Sequence, residues 1–179
     1  CISRNPRFNG ARLGAKEELV DFQNNVVYNW QNKSIYGGEF GKYNIVNNYF
    51  KPGPSTKPSA ANNFLDPSKT DVLPYGQYFV VGNMIEGNKV VNRDNMMGVT
   101  TIPGRGVYIG QPHVVINLTK ENADEGYQSV VKKVGASLHR DAMDERIIRD
   151  MLSGKGKIID VQGGFPHGTA YEQSKGAWP

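Results

Sequence analysis

The segment Val20-Asp21-Phe22-Gln23-Asn24-Asn25-Val26-Val27-Tyr28 alternates apolar and polar positions, pauses at a pair of asparagines, and resumes. Shifted by 23 residues, Tyr43-Asn44-Ile45-Val46-Asn47-Asn48-Tyr49-Phe50-Lys51 repeats it. Alternation with a period of two predicts strands, with Val20 and Phe22, and then Tyr43 and Ile45, on one face. A short self-similar unit at this spacing marks one coil of a solenoid. Stacked coils set Asn above Asn where the chain turns. An amide side chain both donates and accepts, and asparagine tolerates a left-handed backbone, so these pairs read as structural. Tyr78-Phe79-Val80-Val81-Gly82-Asn83-Met84-Ile85 restores the signal, with Asn83 in the place of Asn48 at a spacing of 35. It predicts a third rung whose extra length is a loop.

Within a coil the pattern predicts strands at 19–24 and 26–28, a short strand at Ile35 and Tyr36, and a corner at Gly37-Gly38. Three short strands per coil is the pattern of a parallel β-helix, in which each strand pairs with its equivalent one coil on. From Lys51 to Gly76 the pattern lapses into a Pro-, Ser- and Lys-rich run, expected as one long loop walling a groove. Beyond Gly104 two more strands are expected, at Val107 to Ile109 and Val114 to Ile116. A helix over 124–134 follows from the spacing of Tyr127, Val130 and Val134. A second opens at Asp141, carries Ile147, Ile148, Met151 and Leu152 on one stripe, and stops at Gly154. Asp141, Asp144 and Glu145 suit the acidic first turn of that helix better than a metal site. The expected organisation is all-β, with coils over 1–105 and a partly helical extension over 106–179 packed on their outside.

Composition narrows the function classes. The chain has 179 residues, 38% of them apolar, enough for one domain with a core. Its 21 glycines and 10 prolines suit a chain that turns every few residues rather than a helical bundle. A net charge of +4 favours an anionic partner, without choosing among a polyuronate, a nucleic acid and a membrane surface. The single cysteine, Cys1, excludes an internal disulfide. No apolar run is long enough to span a membrane. His113, His139 and His167 lack metal-ligand spacing, and Gly37-Gly38 and Gly163-Gly164 lack the context of a phosphate loop. Asn117-Leu118-Thr119 fits a glycosylation sequon, a pattern short enough to arise by chance.

The candidate chemistry lies ahead of the first rung, in Ser3-Arg4-Asn5-Pro6-Arg7-Phe8-Asn9-Gly10. Arg4 and Arg7 can each give a planar pair of hydrogen bonds to a carboxylate, and Pro6 between them stiffens the fork. The R-x-P-R run, the Asn-Asn rungs, Tyr36-Gly37-Gly38-Glu39, the Lys51-Pro52-Gly53-Pro54 that closes the second rung, and later segments such as Gly135 to Ile147 and Gly154 to Asp160 together resemble the pectate lyases of polysaccharide lyase family 1. The Bacteroides-type members are most similar, and the resemblance covers nearly the whole chain.

That resemblance implies a right-handed parallel β-helix that cleaves the α-1,4 linkages of polygalacturonate by calcium-assisted β-elimination. Arg4 falls at the position of the Brønsted base and Arg7 at that of a substrate-carboxylate ligand. Asn9 stands where many members carry a further arginine, and Arg12 is the nearby candidate to replace it in substrate binding. A base with a pKa above 12 works only if neighbouring cations depress it in a dry groove. The resemblance places the calcium-binding aspartates upstream of Arg4. The chain is therefore expected to be the C-terminal half of a longer, secreted or cell-surface bacterial protein, a monomer, inactive when isolated. The expected partner is an acidic polysaccharide, pectin or polygalacturonate. Two other classes are open: a non-catalytic polysaccharide-binding or structural β-helix, and a single-strand nucleic-acid binder. The last predicts aromatics interleaved with Lys and Arg along one face, whereas here they fall on solenoid strands, so no nucleic acid is expected.

Overall fold

The computed structural model describes residues 2–12, 14, 18–100, 107–115, 121–156 and 158. The sequon, Gly163-Gly164, His167, Ile116 and part of the basic turn after Gly10 lie outside the described residues.

The described chain forms three coils of a parallel β-helix. The first sheet holds β1 (Arg7–Phe8), β4 (Ile35–Gly37) and β7 (Leu65–Pro67). The second holds β2 (Leu19–Gln23), β5 (Lys42–Val46) and β8 (Gln77–Val81). The third holds β3 (Val26–Tyr28), β6 (Tyr49–Lys51) and β9 (Met84–Ile85). All pairs are parallel, and the register sets Val20 beside Tyr43 and Tyr78, and Phe22 beside Ile45 and Val80, as the self-match predicts. β7 lies inside the stretch expected to be one loop. It is three residues long and ends in a proline, which is tolerated on the outer strand of its sheet. Neither feature gives a strand signal.

The core is a stack of rings running along the coils. Phe8 lies 4.6 Å from Tyr43, and Tyr43 lies 4.9 Å from Tyr78, all buried. Phe50 stacks on Phe64 at 5.0 Å and meets Trp30 edge-on at 6.2 Å. Burying such side chains is worth roughly 1.5–3 kcal/mol each. Gly38 and Gly41 make room for the Tyr43 ring, which a β-carbon at either position would strike.

The asparagines form a continuous ladder. Asn48 Oδ1 accepts from the Asn25 backbone and side chain at 3.0 and 3.1 Å. Asn83 Oδ1 accepts from Asn48 in the same way at 3.0 and 2.9 Å. The preceding turn residues, Asn24, Asn47 and Gly82, all have φ between +52° and +69°, the left-handed conformation expected of them. β9 is followed by α1 (Lys89–Arg93) and a 3-10 turn (Asn95–Gly98), after which single parallel bridges of Val99 to Leu65 and of Tyr108 to Tyr78 continue the first and second sheets. Asn92 Oδ1 takes the Ile85 N–H at 2.8 Å, and Asn95 Oδ1 takes the backbone and side-chain N–H groups of Asn83 at 2.8 and 3.1 Å. Side chains here close the third sheet and the asparagine ladder.

The two strands expected at 107–109 and 114–116 are not formed in their described residues. Tyr108 makes a single bridge to Tyr78, and Val114 is almost fully exposed. This segment crosses the outer side of β5, where Asn44 and the His113 backbone exchange two hydrogen bonds of 2.9 Å. Asn44 is an isolated anchor, not a ladder, so no strand propagates. α2 (Ala123–Lys133) begins in a capping box of Asn122 and Glu125. It packs on β3 and β6, with Tyr127 stacked on Tyr49 at 4.4 Å. The side chains of Asn24 and Asn47 each donate to Glu121 O at 2.8 Å, so the outer asparagines tie the start of this helix to the coils. α3 (Ala142–Leu152) is capped by Asp141, as the acidic first turn implies. Its apolar stripe is not a buried face: Met151 is buried, but Ile147 and Leu152 are about half exposed.

Candidate active site

The predicted fork is sewn onto the first sheet. Asn32 N donates to Ile2 O at 2.8 Å, Asn5 N to Ser34 O at 3.2 Å, Tyr36 N to Pro6 O at 3.2 Å and Gly38 N to Phe8 O at 3.0 Å. Asn5 Nδ2 adds a bond of 3.0 Å to Lys33 O. Arg7 is thus not in a loop but in β1, opposite Tyr36, with Phe8 turned into the core. Arg4 precedes the strand in the left-handed region, φ +66°. Its neighbours' backbone bonds hold that turn against the β3–β4 connection.

The two arginines meet different partners. Arg7 Nη2 donates to both oxygens of Glu39, at 2.9 and 3.1 Å, and its guanidinium carbon lies 4.8 Å from the centre of the Tyr36 ring. The side chains are 15% and 4% exposed, so this ion pair is largely withdrawn from water. Ser68 Oγ also donates to Glu39, at 2.7 Å. Burial pushes the Glu39 carboxyl up, but hydrogen bonds from the backbone, from Ser68 and from Arg7 outweigh it and hold the group below the ordinary glutamate value. Arg4 is exposed, and its Nε donates to the Tyr36 hydroxyl at 3.1 Å. Arg12 is exposed beyond β1, and among the described residues no hydrogen bond joins it to Arg4 or Arg7.

The expected fork of two free guanidiniums is therefore one free edge and one ion pair. Arg7 already binds a carboxylate, but one supplied by Glu39. Tyr36, Glu39, Lys33 and Asp66 complete the site; Tyr36 and Glu39 belong to the run Tyr36-Gly37-Gly38-Glu39, but none of the four was assigned to the site from the sequence. Lys33 pairs with Asp66 and lies 5.5 Å from the Tyr36 ring. Their signal was register: Arg7, Tyr36 and Asp66 are equivalent positions on three successive coils. Their spacings of 29 and 30 residues differ from the 23 that revealed the second and third sheets.

Calcium does not fit the acids of this site. Among the described residues no three Asp, Glu, His or Cys side chains gather to hold an ion. Glu39 is held by Arg7 and Ser68, and Asp66 by Lys33.

No protein-family model matches the chain. Individual relatives do. Over 193 residues it is 30% identical to the probable pectate lyase C of Aspergillus terreus, an alignment covering 92% of this chain and 40% of that protein. The probable pectate lyase C of Aspergillus fumigatus is 30% identical over 167 residues, 84% of this chain and 34% of the relative. That of Emericella nidulans is 28% identical over 164 residues, 84% and 33%. These matches support a pectate lyase family. The chain spans 33–40% of the length of these pectate lyase relatives. They are fungal, and lend nothing to the bacterial source expected from the sequence. Among the described residues no helix is long and apolar enough to cross a membrane.

Proposed function

We propose that this chain supplies the basic side of the active site of a secreted pectate lyase acting on polygalacturonate. The observation that carries the reading is the exposed guanidinium of Arg4, fixed on the first sheet of a parallel β-helix in a chain similar to proteins named pectate lyases. β-Elimination removes the proton at C5, beside the uronate carboxylate. The electron pair left behind forms the C4=C5 double bond as the C4 oxygen departs. Arg4, in its neutral form, accepts the C5 proton on a terminal nitrogen, and the departing C4 oxygen takes a proton from water. With Arg7 paired to Glu39 and Lys33 to Asp66, the positive charge this stretch offers a uronate chain is that of the Arg4 side of the site. Arg7 acts from beneath: bound to Glu39 and laid over Tyr36, it supports the surface, and Arg12 remains the candidate for a peripheral uronate contact. No step is assigned to calcium.

Polygalacturonate incubated with a polypeptide of the relatives' full length that carries this chain should release 4,5-unsaturated uronate, read as ultraviolet absorbance. Arg4→Ala should abolish the release and leave polymer binding in place. Binding without any unsaturated product from the unaltered protein would instead support a non-catalytic polysaccharide-binding β-helix.

A further inference from the structure

Tyr36 receives three cations from two segments of the chain. Arg4, ahead of β1, donates to its oxygen at 3.1 Å. Arg7, in β1, lies over its ring at 4.8 Å, and Lys33, ahead of β4, approaches that ring at 5.5 Å. Arg7 and Lys33 have acids of their own, Glu39 and Asp66. Arg4 is joined to the phenol oxygen itself. A guanidinium is a rigid plane, and holding the Nε edge fixes where its two terminal nitrogens point.

We propose that Tyr36 is the positioning residue of Arg4: its oxygen anchors the Nε edge so that the terminal nitrogens are presented to the C5 proton of the uronate. The inference rests on the lyase reading above and assigns a role to a group that the R-x-P-R run does not contain. An exposed arginine on a flexible stem has many rotamers, and a misplacement of ~1 Å at a reacting atom costs about a hundredfold in rate. One hydrogen bond from an adjacent coil removes most of that freedom.

The same contact gives a pH signature. Arg4's hydrogen bond favours the phenolate, burial opposes it, and Arg7 adds to the first, so Tyr36 titrates below the ordinary tyrosine value. The charges facing Tyr36 are Arg4, Arg7 and Lys33, with Asp66 and Glu39 behind the last two. As Tyr36 ionises, a new negative charge stands beside the bound uronate, so KM for polygalacturonate should rise with pH through that titration.

Tyr36→Phe tests this, because it keeps the ring under Arg7 and removes only the oxygen. The expected result is a fall in kcat of about 10- to 100-fold with KM near neutral pH changed by less than about twofold. The alkaline rise in KM should disappear. Near-normal kcat in Tyr36→Phe overturns the proposal. Ultraviolet difference titration reads the pair without any turnover: one tyrosine should ionise below the ordinary value and return to it in Arg4→Ala. A tyrosine titration indifferent to Arg4→Ala also overturns it. Failure of the unaltered protein to form unsaturated uronate, with the Arg4-dependent titration intact, would sink the lyase reading and keep the pairing.

Discussion

Arg4 and Arg7 carry the same planar group and differ by what holds them. Arg4 faces water and a phenol; Arg7 is closed over a buried carboxylate. Arg4→Lys keeps the charge and loses the plane, and kcat should fall by orders of magnitude at nearly constant KM, measured with saturating polymer. Arg7→Ala should act on the fold instead. It leaves the buried Glu39 carboxylate with Ser68 and the backbone but no cation, and a loss of roughly 3 kcal/mol in urea unfolding is expected. A rise in KM with unchanged stability would return Arg7 to substrate binding. The pair also has a pH dependence. Because the folded Glu39 carboxyl lies below its ordinary value, its stabilisation is complete above the ordinary glutamate range and is lost as pH falls through and below it. Glu39→Gln should flatten that acid limb of stability. Residue types alone revealed which arginines could meet an anion. They could not reveal that the anion for Arg7 lies 32 residues away within the same protein.

The asparagine ladder is the element most fully written in the sequence, since it is local, repeated and built from one residue type. Asn48 sits at its centre, accepting from Asn25 and donating to Asn83 Oδ1 at 2.9 Å and to Phe22 O at 2.8 Å. Asn48→Ala would strand several buried polar groups at about 1–3 kcal/mol each. It should lower the unfolding midpoint far more than Asn25→Ala at the ladder's first rung. Equal losses at the two positions would mean that the bonds are not coupled along the axis. The first sheet was much less legible. Its strands are two or three residues long, too short for alternation, and their spacing is set by the loops between them. That is why the sequence predicts no strand at β1, absorbs β7 into a loop, and does not place Tyr36 beside Arg7. The apolar runs at 107–109 and 114–116 have strand composition, but the first pairs with β8 only through the single bridge of Tyr108 to Tyr78, and the described part of the second, with Val114 almost fully exposed, forms no strand.

For the whole molecule, three coils make a continuous core, yet β1, β2 and β3 each pair on one side only among the described residues. Leu19 at that end is about half exposed. Such an edge favours association, and the 179-residue chain alone should self-associate with concentration in light scattering, less so as Leu19→Lys. The same chain alone should release little or no unsaturated uronate, since it spans 33–40% of its relatives. Appreciable release by this chain would show that the described coils suffice for the chemistry.

The opposite end behaves differently, because Asn92 and Asn95 deliver through side chains what another coil would deliver through its backbone. Nothing in that substitution counts the coils before it. The segment from Asn88 to Gly98 is in effect a lid on the third sheet alone, while single bridges from Val99 to Leu65 and from Tyr108 to Tyr78 carry the other two sheets one step further. Each sheet of such a solenoid ends at its own height, so one wall of the coil stack can outrun the wall beside it.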